Sequence, residues 1–482
     1  MVSGLIQKTI WSVIQRFCPS IIQIVATLVI TRFISPNDYG EVALVTTFFQ
    51  ICSLLVSSGL GEGLMYKSNC SNVLYDSVFY FNIVVAISLY AILFYSSSYI
   101  ACFYDVPRLA ILVKIISINL VIFSISYLQR IIFQKDLNFK LLAFSSLFST
   151  VIGSIIGLLM AINGAGVWAI VTLTLTQNVI DTTVLWCMSS WRPRLQFSWS
   201  ELKEIFSYSF RILSNNIVQV VYDNIYSLVL GKVFGSRSLG LYNRMQTVVY
   251  FTTTNFLYSL ESLFFPVLCK DKNNQDYLRV AYDKLLRISM LLATFVLALI
   301  IVNAREIIIM VLTKRWADGV PVLQIISIAF IFVPISYINN SFLKIYNKTQ
   351  YLLYGNILKK IIGVIILVAT IATKHLEYVC IGIIVYNLID AIISMILSAT
   401  VLKIKFLEQL CYVGNSLFII ICVITISYFI PFNSNIYISF VEKTVLVIVI
   451  YFLYHILLKT VEYNILMNVL AEILRKKNVH NF

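Results

Sequence analysis

Charge is scarce in this sequence. Only 12% of its residues are Asp, Glu, Lys or Arg, and the acids are outnumbered by the bases, 22 against 36. So few charges cannot cover a soluble surface on a chain of 482 residues that is 60% hydrophobic, with a mean hydropathy of +0.89. Histidine is rarer still: His375, His455 and His480 are scattered and cannot build a metal centre together, and no metal ligand set or cofactor is expected. No H-E-x-x-H, paired His–Cys set or nucleophile elbow occurs, so the chain is not expected to be an enzyme. The nine cysteines stand singly, mostly inside apolar runs and never as C-x-x-C, which suits small packing residues rather than disulfides. Glycines 59, 61 and 63 have no strand before them and no G-K-S or G-K-T after them; they fit close helix approach or a local kink rather than a phosphate loop. No cleavable secretion signal is visible, because the first apolar stretch, from near Trp11, is too long and lacks a small-residue cleavage site.

What the chain has in abundance is apolar runs of roughly 20 residues, the length that crosses a hydrocarbon core about 30 Å thick. The runs are continuous rather than alternating, so helices and not a barrel are expected. We place about fourteen, near 11–34, 41–65, 77–100, 109–133, 141–162, 166–188, 205–230, 241–267, 285–304, 320–343, 351–373, 378–401, 409–430 and 437–458. This predicts an all-α membrane protein, in contact with lipid along most of its length.

An even number of spans puts both termini on one side. Placing them in the cytoplasm assigns roughly 24 Lys and Arg to that side against roughly 11 on the other. Arg130, Lys135, Lys140, Arg192, Arg194, Lys203, Lys270, Lys272, Arg279, Lys284, Arg287, Arg475, Lys476 and Lys477 fall there. Topology therefore accounts for most of the +14 net charge, and no nucleic-acid partner is needed. The longest hydrophilic stretches, near 189–204 and 269–284, leave no room for a soluble catalytic domain. In the first, Pro193 stops a helix, Ser198 with Glu201 fits a capping box, and Trp186, Trp191 and Trp199 suit an interfacial belt.

The chain also repeats itself. IISINLVIFSISY (115–127) and IISIAFIFVPISY (325–337) share seven of thirteen positions at an offset of 210. TRFISPNDYG (31–40) echoes GKVFGSRSLG (231–240) at an offset of 200, with Gly40 over Gly240. Repeated halves are a common plan for transporters, whose cargo sits between them. The expected organisation is a six-helix lobe over 1–190, a cytoplasmic linker over 191–204, a second six-helix lobe over 205–401, and two extra helices with a basic tail over 402–482. The lobes are expected to be pseudo-symmetric.

Several segments resemble one family. Trp11, Ser12 and Gln15 in W-S-x-x-x-Q, SPNDYG (35–40), SSGLGEGL (57–64), RIIFQKDLNFK (130–140), GAGVWAIV (164–171), WRPRLQFSW (191–199) and LGLYNR (239–244) are similar to bacterial polysaccharide flippases. These form the polysaccharide transporter branch of the multidrug/oligosaccharidyl-lipid/polysaccharide exporter superfamily. The resemblance implies fourteen helices in the inner membrane and alternating-access export of an oligosaccharide on undecaprenyl pyrophosphate, for lipopolysaccharide O-antigen, capsule or exopolysaccharide. It also implies a polymerase and a chain-length regulator as partners, and a proton or sodium ion as a coupling partner. Relatives often carry an acid five before the glycine that ends the seventh helix; here Tyr226 stands there, with Asp223 and Asn224 a turn earlier.

Such a cargo has a pyrophosphate, a polar sugar head and an apolar tail. Each buried hydroxyl left without a partner costs roughly 2–7 kcal/mol, so a wet, polar cavity is required. Intramembrane polar residues are the candidates to line it. On the first helix these are Arg16 and Gln23, seven apart on one face, with Pro19 between them. On the seventh, Arg211, Asn215, Gln219 and Asp223 step by four, with Asn216 and Asn224 beside them. Arg16 and Arg211 suit bidentate attraction of the pyrophosphate, or else snorkel to the interface. Asp223 is the coupling candidate, or pairs with an arginine. Glu62 reads as an ion pair or an exposed end, Asn119 and Gln177 as weaker cavity candidates, and Asp181, Glu261, Asp390, Lys359 and Lys360 as charges without assignable partners. A cation-coupled multidrug antiporter and a membrane-embedded glycan polymerase are the competing functions; the first would want a more acidic cavity, the second a long external loop.

Overall fold

A computed structural model describes residues 2–67, 69–270, 274–402 and 404–457, with all their side chains except those of 2–9, 215, 266, 349, 401 and 402. Lys272 and the basic tail residues Arg475, Lys476 and Lys477 lie outside the described residues. Every element among the described residues is helical. The spans, in chain order, are α1 (Val2–Thr31), α2 (Pro36–Tyr66), α3 (Asn72–Tyr104), α4 (Leu109–Lys135), α5 (Phe139–Ile162) and α6 (Val167–Met188). One continuous run, Trp199–Lys270, breaks at Gly235 (φ 77°, ψ 173°) into α7 (199–234) and α8 (236–270). There follow α9 (Gln275–Val302), α10 (Lys314–Ile345), α11 (Thr349–Ile371), α12 (Leu376–Leu402), α13 (Phe406–Phe429) and α14 (Ile436–Leu457). Twelve stretches are long and apolar enough to cross a membrane; the Gly235 break divides one of them, and the Thr-rich α6 is the fourteenth helix. The fourteen expected from run lengths are therefore present in a multi-pass membrane protein.

By contact the chain divides into two compact units, Met1–Gly240 and Leu241–Phe482. In the first, α1 lies along α5, and α5 lies along α6. The α5–α6 approach depends on Gly153 and Gly157. A Cβ on Gly157 would sit 2.7 Å from the Leu173 Cβ, and one on Gly153 3.0 Å from the Leu173 carbonyl oxygen. GSIIG thus works as a small-x-x-x-small face.

Helix α2 is less regular than its apolar run suggests. Its first turn is capped by Ser35, whose Oγ accepts from the Asp38 N–H at 3.2 Å, with Pro36 at the first position. It then breaks at Ser58 and Gly59, both left-handed (φ 51° and 64°), before resuming as Leu60–Tyr66. The kink and the close approach expected of these glycines both occur. A Cβ on Gly59 or Gly63 would collide with Ser209 of α7, and one on Gly61 with the Tyr127 hydroxyl of α4. At the other end of the same seam, Gly231 of α7 accommodates the Leu44 side chain.

The capping box is only half formed. The Glu201 N–H reaches the Ser198 Oγ at 3.5 Å, but the Glu201 carboxylate accepts from the Ser71 hydroxyl instead of returning to the Ser198 N–H, which donates to Ser77 Oγ at 2.8 Å. The linker is thereby sewn to the start of α3, where Asp76 also accepts from the Arg194 N–H. Trp186 and Trp191 pack about Phe79, and the Trp186 Nε1–H donates to the Ile125 carbonyl, whereas Trp199 is exposed.

In the second unit α9 is the hub, touching α10, α13 and α14. Four helices share one buried polar knot. The Tyr282 hydroxyl donates toward Asn339 Oδ1 (2.7 Å) and Gln409 Oε1 (3.1 Å), Asn339 Nδ2 donates to Gln409 Oε1 (2.9 Å), and Gln409 Nε2 donates to Ser398 Oγ (3.0 Å). All four residues are buried, so the knot fixes α13 to the rest of the unit. In α10, Pro334 cannot donate to the Phe330 carbonyl, and the backbone tightens to a 3₁₀ turn over Phe330–Phe332.

Candidate functional site

Helix α1 runs unbroken through Pro19. Arg16 is exposed and Gln23 half-buried, and the Ser20 hydroxyl donates to the Arg16 carbonyl at 2.8 Å. On α7, Ile205 and Ser209 form the face that meets Gly59 and Gly63 of α2. Each residue turns the helix by about 100°, so Arg211 lies about 200° around from Ser209, on the far side from α2. A step of four overshoots one turn by about 40°; the stripe from Arg211 through Asp223 therefore slants by about 120° around α7. Arg211, Gln219 and Asp223 are exposed, Asn216 and Asn224 half-buried, and the Asn215 side chain lies outside the described residues. Within the stripe, Gln219 Nε2 donates to both Asp223 carboxylate oxygens at 2.9 Å, and Asn224 Nδ2 donates to the Val220 carbonyl at 2.9 Å. Because an amide is a neutral donor, it orients the Asp223 carboxylate without neutralising it.

Four of the charges that had no assignable partners are paired inside the units. Asp181 of α6 takes the Arg130 guanidinium of α4 and the Ser145 hydroxyl of α5 (2.6 Å). The Lys359 ammonium of α11 lies 2.6 Å from Asp390 of α12, with side chains 4% and 21% exposed. Glu261 of α8 accepts from Tyr337 (2.5 Å), Ser341 (2.7 Å) and Lys344 (3.1 Å), all on α10. A further buried pair, Lys443 with Glu306 (2.6 Å), joins α14 to the short helix Ala304–Ile307. Asn119 and Gln177 also have partners on neighbouring helices: Asn119 accepts from Asn178 (2.9 Å) and Gln177 donates to Thr150 (3.0 Å). Glu62 is exposed.

Two cations manage the α2 terminus. The Lys135 ammonium donates to the Leu64 and Lys67 carbonyls at 2.9 and 2.6 Å, satisfying acceptors that the helix end leaves open. Lys67 itself pairs with Glu204 at 2.6 Å, and that hydrogen-bonded carboxylate holds the Lys67 ammonium above its usual range. At the opposite end of α2, Arg108 bridges Asp38 (2.9 Å) and Glu41 (3.0 Å). Sequence patterning missed this second cluster, although SPNDYGE packs Ser35, Asn37, Asp38 and Glu41 into the capped start of the helix and so hinted at it.

Comparison with known proteins agrees with this architecture. The model of the family described as "Polysaccharide biosynthesis protein" matches residues 29–321. The teichuronic acid biosynthesis protein TuaB of Bacillus subtilis is 24% identical over 66% of this chain and 66% of its own length. The succinoglycan biosynthesis transport protein ExoT of Rhizobium meliloti is 21% identical over 66% of this chain and 65% of its own. The match thus spans about two thirds of each of these relatives. Among solved structures, the lipid II flippase MurJ in an inward closed conformation superposes with a TM-score of 0.72 at 13% identity, covering 94% of this chain and 99% of that one. The chain belongs to the polysaccharide biosynthesis protein family and has a MurJ-like fold.

Proposed function

We propose that this protein is a flippase for lipid-linked oligosaccharides. It moves a repeat unit on undecaprenyl pyrophosphate from the cytoplasmic to the outer leaflet of the inner membrane by alternating access, for O-antigen, capsule or exopolysaccharide assembly. The observation that carries this reading is the slanted, exposed polar stripe of α7, in a chain whose family is described by polysaccharide biosynthesis and one of whose relatives is named as a succinoglycan biosynthesis transport protein. A lipid-facing stripe of this kind would be costly, whereas a sugar-phosphate head needs one. Arg211 and Arg16 attract the pyrophosphate; Gln23, Asn215, Gln219 and Asn224 offer hydrogen bonds to the head. Asp223, held by Gln219, is the coupling group for a proton or sodium ion. Both termini are cytoplasmic, the halves 1–190 and 205–401 are the moving lobes, and a polymerase and chain-length regulator receive the product. The protein makes and breaks no covalent bond.

The test is reconstitution with a fluorescent lipid-linked oligosaccharide, following protection of the head from an outside reagent. Arg211→Ala should slow protection on the order of tenfold or more, since a charge-assisted contact is worth about 1.5–3 kcal/mol. An unchanged rate removes Arg211 from the site. Movement of a cationic dye but not of the lipid-linked sugar would favour the multidrug antiporter.

A further inference from the structure

The linker between α6 and α7 is firmly held, yet it turns its most apolar side chains outward. The Arg194 and Ser198 N–H groups donate to Asp76 and Ser77 of α3 at 3.2 and 2.8 Å. The Arg192 guanidinium donates to the Ser189, Trp191 and Trp186 carbonyls at 2.6, 2.9 and 2.8 Å. From this frame Leu195 projects 94% exposed, beside Phe197 and Trp199, 55% and 57% exposed with their rings stacked at 6.5 Å. Three adjoining large apolar groups held outward form a patch rather than scatter. Helix α3 measures where that patch lies. Its C-terminal third carries exposed Tyr95, Tyr99 and Phe103 one turn apart, an aromatic row of the kind that marks a membrane–water boundary. Tyr99 lies 22 residues beyond Ser77 on the same helix, about 33 Å of rise, close to the hydrocarbon thickness of about 30 Å. Ser77, and the linker bonded to it, therefore stand at the opposite boundary.

The patch also continues into a flank of α7. Trp199, Lys203, Phe206 and Phe210 step by four, three and four, share one helix face and are all exposed, and Phe206 stacks on Phe210 at 6.2 Å. Arg211 stands about 100° round from Phe210, so this flank is separate from the polar stripe. Charge completes the description. Within 189–204 three bases stand against two acids, and Lys67 takes up one of those, Glu204, at 2.6 Å. Arg194 and Lys203 are exposed on either side of the apolar group. We propose that Leu195, Phe197 and Trp199 are an anchor inserted among the upper acyl carbons of the leaflet the linker faces, the cytoplasmic one in the proposed orientation. Arg194 and Lys203 make the anchor selective for anionic phospholipid headgroups. Because the linker is bonded to the start of α3 and opens α7, the anchor sets the height of both helix ends at the membrane surface. It does so whatever the cargo.

The test uses the full-length chain with fluorinated tryptophan at all six positions, in vesicles holding this protein alone. The Trp199 fluorine signal is assigned by its loss in Trp199→Phe, or in Trp199→Tyr should the first variant not fold. Phospholipids with a nitroxide high on the acyl chain should broaden that signal several-fold more than a water-soluble paramagnetic reagent does, and Leu195→Gln should narrow the difference. Phosphatidylglycerol labelled on its headgroup should broaden it several-fold more than phosphatidylcholine labelled in the same way. Arg194→Gln combined with Lys203→Gln should bring that preference close to unity, each cation being worth roughly fivefold. A Trp199 signal broadened mainly by the aqueous reagent overturns the anchor and leaves the patch to a soluble protein partner. Equal broadening by the two headgroups, or a preference that survives the double replacement, overturns the anionic selectivity. None of these readings involves cargo, so the flippase reading can fail without touching the anchor.

Discussion

The Lys359–Asp390 pair allows a sharp energetic test. Lys359 stands ten residues into α11 and Asp390 fourteen into α12, so both charges lie deep within the spans. Their 2.6 Å separation and side-chain exposures of 4% and 21% describe a pair almost wholly withdrawn from water. Removing one partner, as in Lys359→Met, strands the other charge and should cost about 3–5 kcal/mol. Replacing both, as in Lys359→Met with Asp390→Leu, removes the attraction and the desolvation cost together, and should return stability to within about 1 kcal/mol of the parent or exceed it. The coupling between the two sites, the two single losses less that of the double, should thus be at least about 5 kcal/mol, or several thousandfold in the unfolding equilibrium. Reversible unfolding in mixed micelles, measured for the parent, both single variants and the double, closes the cycle. A double variant as unstable as Lys359→Met would refute the claim that the pair acts mainly on itself. It would point instead to a role for Asp390 beyond its ammonium.

Other perturbations separate strong contacts from weak ones. Tyr282→Phe removes the hydroxyl shared by Asn339 and Gln409 and should cost about 1–3 kcal/mol in the same unfolding assay, because it leaves buried acceptors short of a donor. Gly63→Val should destabilise by about 1–3 kcal/mol, since its Cβ has the Ser209 Oγ and, at 3.2 Å, the Ile205 Cβ in its way; the loss should shrink when Ser209→Ala is added. By contrast, Glu204→Gln should change stability by no more than about 1 kcal/mol, because its partner pair with Lys67 is exposed, and a larger loss would show the pair to be more than a surface contact.

The helices were legible because the hydrocarbon thickness imposes run length directly on sequence: each expected span overlaps an observed one. GSIIG could be recognised as a packing face for a similar reason, since its spacing is local. Partner choice was not legible. Arg130 and Asp181 are 51 residues apart, and Tyr282 and Gln409 are 127 apart, so no helical periodicity relates them. A buried acid announces that it needs a partner without saying which helix supplies it. The partners of Asn119 and Gln177 were hidden for the complementary reason: in an apolar helix, a polar side chain that hydrogen-bonds a neighbouring helix looks the same as one lining a wet cavity. The stripe on α7 was visible as a period of four, but its slant follows from the helical repeat, and its relation to α2 follows from glycines in a distant segment.

The join between α7 and α8 is a single residue, Gly235, with no loop around it. That leaves no slack for engineering. A reporter peptide spliced in at this position would push the two chain ends apart by its own width, and a strategy that treats every helix junction as a tolerant insertion point would fail here first. The irregular segment between Phe429 and Ile436, by contrast, contains exposed residues and several consecutive non-helical positions. It is the better place to graft an epitope for mapping sidedness.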